Sequence, residues 1–226
     1  MSKRVTVITG ASGVLGRAIA NAALARGDAV AAIDFGPVER PDDADWMGLG
    51  GVDLTDPAAA QSALDAVAQR FGRIDHLLNA VGGFVWQMTD GPLESWDRMH
   101  RMNLTTVLNA CRAALPHLTK SPAGRIVNVG ALGAIQAGAG MGAYAASKAG
   151  VHKLTESLSE ETRASALTVN AVLPSIIDTP ANRADMPDAD FTTWVQPNAL
   201  AAVMMFLASD AASAVTGALL PVRGRV

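Results

Sequence analysis

The chain has 226 residues, of which 50% are hydrophobic, so it is long enough to bury the core of one large domain. Its formal net charge of −3 gives no basic surface for nucleic acid, and its longest apolar run, at residues 199–208, is too short to cross a membrane. The single cysteine, Cys111, cannot form an internal disulfide, which favours a reducing compartment. We therefore expect one cytoplasmic domain over residues 1–226, with no targeting segment at its start.

Short apolar segments alternate with helical segments along the whole chain. The apolar segments are rich in β-branched residues without polar alternation, which is typical of buried parallel strands. Strands are predicted at residues 5–9, 29–34, 47–53, 74–79, 125–129, 168–173 and 218–222. Helices are predicted at residues 14–26, 57–71, 94–119, 142–165 and 197–208, and residues 174–196 are expected to form a long loop. This order predicts an α/β fold, a doubly wound Rossmann-type parallel sheet with helices on both faces.

The turn after the first predicted strand carries Gly10, Gly13 and Gly16. Glycines let the backbone approach a pyrophosphate, and the helix that follows offers free N–H groups at its N-terminus. Asp34 ends the next predicted strand, where a carboxylate accepts hydrogen bonds from the ribose hydroxyls and repels a 2′-phosphate. No Arg or Lys near this turn is placed to receive that phosphate. The pattern predicts a site for NADH rather than NADPH.

Tyr144 and Lys148 are spaced to lie on one face of a predicted helix, one turn apart. A free tyrosine is a poor acid or base at neutral pH, but a neighbouring ammonium together with the positive charge of oxidised nicotinamide would stabilise its phenolate and lower its pKa. Tyr144 is also the only tyrosine in the chain. The pair therefore indicates proton transfer to or from a substrate that exchanges a hydride with the nicotinamide.

With these parts together, the chain resembles the short-chain dehydrogenase/reductase family over essentially its whole length. The matching motifs are Thr9–Gly16, Asp53-Leu54, Asn79–Gly82, Asn103, Tyr144 with Lys148, and Asn170–Pro174 followed by Thr179. The cofactor-binding residues that the resemblance implies are Gly10, Ser12, Gly13, Leu15, Gly16, Asp34, Asp53, Leu54, Asn79, Ala80, Gly82, Tyr144, Lys148, Pro174, Ile177 and Thr179. It also implies that Asn103 holds a water that relays protons to Lys148, and that the protein forms a homodimer or homotetramer through the helices at 94–119 and 142–165.

The chain departs from the family pattern most clearly at Ala131, which occupies the position of the family's catalytic serine. The glycine spacing, the missing serine, a Val-Gly-Gly segment followed by Trp86, and the stretch 186–194 resemble the dihydropteridine reductase branch. That resemblance implies a quinonoid dihydropterin, or a similarly flat conjugated substrate, bound near Ala131 and stacked on Trp86, Phe191 and Trp194. These aromatic rings are equally compatible with packing onto the core.

Two other functions stay open. A general ketone or alcohol dehydrogenase, or a 3-oxoacyl reductase, is favoured by the intact Tyr144, Lys148 and Asn103 and opposed by Ala131. A catalytically silent NAD-binding protein is the third reading, and an engineered loss of the serine is compatible with the same pattern. The four histidines show no metal-ligand spacing, so we expect no metal and interpret them as surface or packing residues.

Overall fold

A parallel sheet of seven strands runs through the part of the chain that the computed structural model describes, residues 3–40 and 43–226. The strands are β1 Val5–Thr9, β2 Ala29–Ile33, β3 Trp46–Leu49, β4 His76–Asn79, β5 Arg125–Val129, β6 Thr168–Pro174 and β7 Leu219–Val222. Their order is β3-β2-β1-β4-β5-β6-β7, so the direction of winding reverses between β1 and β4. The predicted doubly wound α/β fold is confirmed, and a ligand site is expected at the carboxyl ends of these two strands.

The helices are α1 Val14–Arg26, α2 Pro57–Phe71, α3 Glu94–Met99, α4 Thr106–Leu118, α5 Gly142–Glu161, α6 Pro180–Asp185 and α7 Pro197–Leu207. The helix predicted over 142–165 ends at Glu161, and the strand predicted over 47–53 covers Trp46–Leu49. Two further predictions differ in the kind of structure. The helix predicted over 94–119 is interrupted by a π-helical turn at His100–Thr105. The loop predicted over 174–196 contains α6, which begins where the Thr179 side chain accepts a hydrogen bond from the Asn182 N–H and Pro180 takes the first helical position.

Helices cover both faces of the sheet. On one face, apolar side chains of α2, α4 and α5 pack against the strands, and on the other α1 and α7 do so. Cys111 of α4 lies within the first of these layers, where the Asn79 side-chain amide donates to its Sγ at 3.5 Å. Burial raises the pKa of this thiol to about 12, so it is held as the neutral thiol.

A row of polar side chains crosses the sheet at the amino ends of its strands. Thr6, His76, Arg125 and Thr168 are in register on β1, β4, β5 and β6, and all four are buried. His76 Nδ1 lies 2.8 Å from Thr6 Oγ1 and 3.0 Å from Arg26 Nη2. Burial lowers the pKa of His76 to about 3, which keeps the imidazole neutral.

Among the residues that the structure describes, no helix combines the length and the hydrophobicity needed to cross a bilayer.

Candidate active site

A cavity of about 860 Å³ opens at the carboxyl ends of β1, β2 and β4. Eight residues that the sequence assigns to the cofactor line it: Gly10, Ser12, Gly13, Asp34, Asp53, Leu54, Ala80 and Gly82. Further lining residues were not predicted: Phe35, Val52, Thr55, Val81, Glu94, Asp97, Arg98, Arg101, Met102 and Thr106. Several of these come from α3 and the π-helical turn, which carry no dinucleotide motif.

The glycine turn is closely packed at Gly10 and Gly16, where a side chain would clash with the backbone. A Cβ on Gly10, whose φ is +68°, would lie 2.7 Å from the Val81 backbone nitrogen. A Cβ on Gly16 would overlap the Gly10 carbonyl oxygen, so this glycine allows α1 to pack close to the turn. Gly13 is the N-cap of α1 and provides no side-chain cap, while it also lines the cavity. The positive end of the helix dipole is therefore available to an anionic group such as a pyrophosphate.

Asp34 is fixed at the edge of the cavity by two backbone hydrogen bonds. Its Oδ2 accepts the Ser12 N–H at 2.8 Å, and its Oδ1 accepts the Gly36 N–H at 2.8 Å. The carboxylate is thereby tied to the glycine turn on one side and to the segment after β2 on the other. Each oxygen retains a second lone pair, so the group can still accept a hydrogen bond from a ribose hydroxyl.

Other predicted cofactor residues have their side chains elsewhere. Leu15 is buried beneath the turn in α1. The Asn79 side chain is buried in the interior, where it accepts from Thr9 Oγ1 and donates to Asn128 Oδ1, so the predicted contact cannot be made by this amide. Pro174 is the buried last residue of β6, Ile177 bridges to Val195, and Thr179 caps α6. A contact of these residues with the cofactor stays a prediction.

Of the three predicted catalytic residues, Asn103 and Lys148 are buried beside Gly82, and Tyr144 is half-buried with its ring against Phe84. A Cβ on Gly82 would lie 2.7 Å from Asn103 Oδ1 and 3.1 Å from Lys148 Nζ, so this cavity-lining glycine adjoins both side chains. Asn103 Oδ1 accepts the Gly83 N–H at 2.8 Å, and its Nδ2 donates to the Gly83 carbonyl and to Ser147 Oγ. The Asn103 side chain thus holds the backbone at Gly83, and its role toward a proton-relaying water stays a prediction.

Burial shifts the pKa values of Lys148 and Tyr144 in opposite directions. Lys148 Nζ donates to the Val129 carbonyl at 2.7 Å, and burial lowers its pKa to about 8. Burial raises the pKa of Tyr144 to about 12, and the ring of Phe84 packs edge-on against it at 5.0 Å. In the protein alone, desolvation sets the direction of the tyrosine pKa shift, and the lowering expected from Lys148 together with oxidised nicotinamide stays a prediction.

Ala131 leaves the serine position without a hydroxyl. The residue is buried, its carbonyl accepts the Ala134 N–H, and its own N–H donates to His152 Nε2 at 3.2 Å. The nearby Ser147 hydroxyl donates to the Tyr144 carbonyl at 2.7 Å, besides accepting from Asn103. Ser147 is therefore already hydrogen-bonded and does not replace the missing donor.

The predicted substrate aromatics lie in two different surroundings. Trp86 is 61% exposed, and its Nε1 donates to the Ala139 carbonyl, so it joins the loop before α5 to the segment after β4. Trp194 is buried, and its ring centroid lies 4.8 Å from that of Phe191. The Arg183 guanidinium stacks on the Phe191 ring, 4.7 Å from its centroid. Neither residue of this second pair lines the cavity described above. Their packing onto the protein is the simpler reading of the structure.

Comparison with known proteins gives a consistent result. Residues 4–190 match the family model described as short chain dehydrogenase. The chain is 32% identical to a 3-oxoacyl-[acyl-carrier-protein] reductase of Salmonella typhimurium, covering 98% of this chain and 96% of that protein. It is 30% identical to a D-beta-hydroxybutyrate dehydrogenase of Rhizobium meliloti, with 95% of each chain covered. The crystal structure of levodione reductase superposes with a TM-score of 0.89 at 27% identity, covering 99% of this chain and 97% of that one.

The fold, the cavity and these relatives define the class of protein as a Rossmann-type oxidoreductase. Within that class, the chain belongs to the short-chain dehydrogenase family, whose members typically use NAD or NADP. These three relatives carry the names of other reductases and dehydrogenases, so the narrower likeness to dihydropteridine reductases remains a prediction.

Proposed function

We propose that the protein is an NAD(H)-linked oxidoreductase that interconverts a carbonyl compound and the corresponding alcohol. The observation that carries this proposal is the position of Lys148, one turn from Tyr144 on α5 and directly beside Gly82 of the dinucleotide cavity. The relatives named as a 3-oxoacyl reductase and a β-hydroxybutyrate dehydrogenase support a 3-oxo or 3-hydroxy acid derivative as the substrate class.

The chain would use the cofactor in the following way. When bound, a nicotinamide dinucleotide supplies or takes up a hydride. Gly10 and Gly13 would receive the pyrophosphate, and Asp34 the adenosine ribose. Tyr144 would hold the substrate oxygen and transfer the proton at its hydroxyl. Lys148, charged below about pH 8, would stabilise the phenolate that this transfer leaves.

Asp34 supports NAD(H) over NADP(H). Its carboxylate is held rigidly by the Ser12 and Gly36 N–H groups, so it cannot swing away from an incoming 2′-phosphate without breaking both hydrogen bonds. A negative charge fixed at this position repels a phosphate and accepts a hydroxyl.

A second candidate, reduction of a quinonoid dihydropterin, is favoured by Ala131. A ketone oxygen gains a full negative charge on reduction, so a second hydrogen-bond donor stabilises its transition state. A quinonoid ring spreads the charge and gains aromaticity, so it needs the second donor much less. The absence of a hydroxyl at residue 131, with Ser147 already hydrogen-bonded, fits such a substrate.

Turnover assays separate the two candidates. NADH oxidation would be followed with a 3-oxoacyl thioester, a simple diketone and a quinonoid dihydropterin, with Tyr144→Phe as the inactive control. We expect turnover of the 3-oxoacyl thioester, and Ala131→Ser should raise it by roughly 10²–10³-fold, the usual effect of one such donor. Turnover of the dihydropterin alone, with Ala131→Ser changing it little, would contradict the main proposal in favour of the second candidate.

A further inference from the structure

His152 continues the face of α5 that carries Tyr144 and Lys148, one further turn along the helix. It is buried, and its Nε2 accepts the Ala131 N–H at 3.2 Å. Gly130 makes this approach possible, since a Cβ there would lie 2.5 Å from His152 Nε2. The glycine and the histidine therefore fit each other sterically.

The end of β5 is held at three successive residues. Lys148 Nζ donates to the Val129 carbonyl at 2.7 Å, the Gly130 N–H donates to the Val172 carbonyl of β6 at 2.9 Å, and His152 accepts the Ala131 N–H. Two of these three contacts come from α5. A shift of residues 129–131 would therefore move both the Lys148 ammonium and the wall formed by Ala131.

We propose that His152 is a positioning residue: through the Ala131 N–H it fixes the end of β5, and with it Lys148, for the reaction proposed above. This inference rests on the proposed function. It also fixes the chemical state of the side chain, because Nε2 must be unprotonated to accept and the ring proton must be on Nδ1.

Three variants test the role in the full-length protein. His152→Leu removes the acceptor, His152→Gln restores one on a side chain of similar reach, and Gly130→Ala keeps the histidine but forces it away from Ala131. We expect kcat to fall roughly tenfold or more in His152→Leu and in Gly130→Ala, the effect of losing one buried hydrogen bond. KM should change much less, and His152→Gln should recover most of kcat. A purely structural role would not produce this recovery together with a selective loss of kcat.

Nitrogen-15 NMR of the imidazole provides a second readout that needs neither substrate nor cofactor. We expect the Nδ1–H tautomer in the parent protein and loss of that signature in Gly130→Ala. An Nε2–H ring in the parent protein would overturn the inference, as would unchanged kcat in both His152→Leu and Gly130→Ala. A parent protein with the Nδ1–H tautomer that turns over no carbonyl substrate would contradict the proposed function instead, which keeps the two failures apart.

Discussion

Tyr144 is the side chain that we propose to exchange a proton with the substrate. Ala131 has no hydroxyl, and the Ser147 hydroxyl is already hydrogen-bonded to the Tyr144 carbonyl. We expect Tyr144→Phe to lower kcat by roughly 10²–10⁴-fold, as loss of a general acid does, while NADH affinity stays within a few-fold. Steady-state kinetics and a fluorescence titration with NADH measure the two quantities. A variant that keeps most of its turnover would show that the proton comes from another group.

Asp34 sets the cofactor preference that we propose. We expect the parent protein to bind NADH at least about tenfold more tightly than NADPH, and Asp34→Ala to bring the two dissociation constants close together. Because the variant also loses the hydrogen bonds to Ser12 and Gly36, NADH itself should bind more weakly. Asp56→Ala, which removes only the cap of α2, is the control and should leave the ratio unchanged. Equal affinities in the parent protein would contradict the prediction.

At the scale of elements, the sequence was sufficient to predict that the strands exist, but it did not predict the π-helical turn. Strands β1 and β2 are fully buried and rich in apolar residues, a pattern that can be recognised locally, whereas β3 and β7 are mostly half-buried or exposed. The turn at His100–Thr105 coincides with contacts that are distant in sequence, since Asn103 reaches both Gly83 and Ser147. Helix α6 carried a local signal, Thr179 followed by Pro180, that the prediction of a loop overlooked. The sequence also contained a local signal for His152, because this residue follows Lys148 by four positions.

The Asn103 contacts join the π-helical turn to the segment after β4. We expect Asn103→Ala to lower the free energy of unfolding by about 1–3 kcal/mol, because the Gly83 N–H loses its buried acceptor. Urea unfolding measures this loss, and limited proteolysis should show faster cleavage within residues 83–92. Thr119→Ala, which removes an exposed hydroxyl after α4, should change neither. Unaltered stability of Asn103→Ala would show that Gly83 is held by its packing.

At the scale of the whole molecule, the carboxyl and amino ends of the strands carry different features. The carboxyl ends of the strands carry the cavity, while the amino ends carry the buried polar row with His76. The sequence located the first end through its glycines and Asp34, but it did not show that His76 is completely buried. The homodimer or homotetramer implied by the family resemblance stays a prediction.

His76 gives the protein an acid-sensitive stability. Its pKa is about 3 in the folded protein and near the ordinary 6.5 in the unfolded chain, so below pH 6.5 the unfolded chain binds the extra proton. Stability should therefore fall from about pH 6.5 toward pH 3, by at most about 1.4 kcal/mol per pH unit from this residue. Urea unfolding at several pH values measures the slope, and His76→Gln should flatten it without changing kcat at pH 7. Equal slopes in both proteins would assign the acid sensitivity to other groups.

Chemical labelling of Cys111 can report how often the protein opens. The thiol is unreactive in the folded state, since it is buried in the layer between the sheet and α4 and its pKa is raised to about 12. A thiol reagent such as a disulfide dye can then modify it only in molecules that have opened. Under conditions where closing outpaces modification, the labelling rate divided by that of the unfolded chain is the fraction of opened molecules. Two labelling rates, one of the native protein in water and one of the unfolded chain as reference, would thus give the free energy of this opening without an added probe residue.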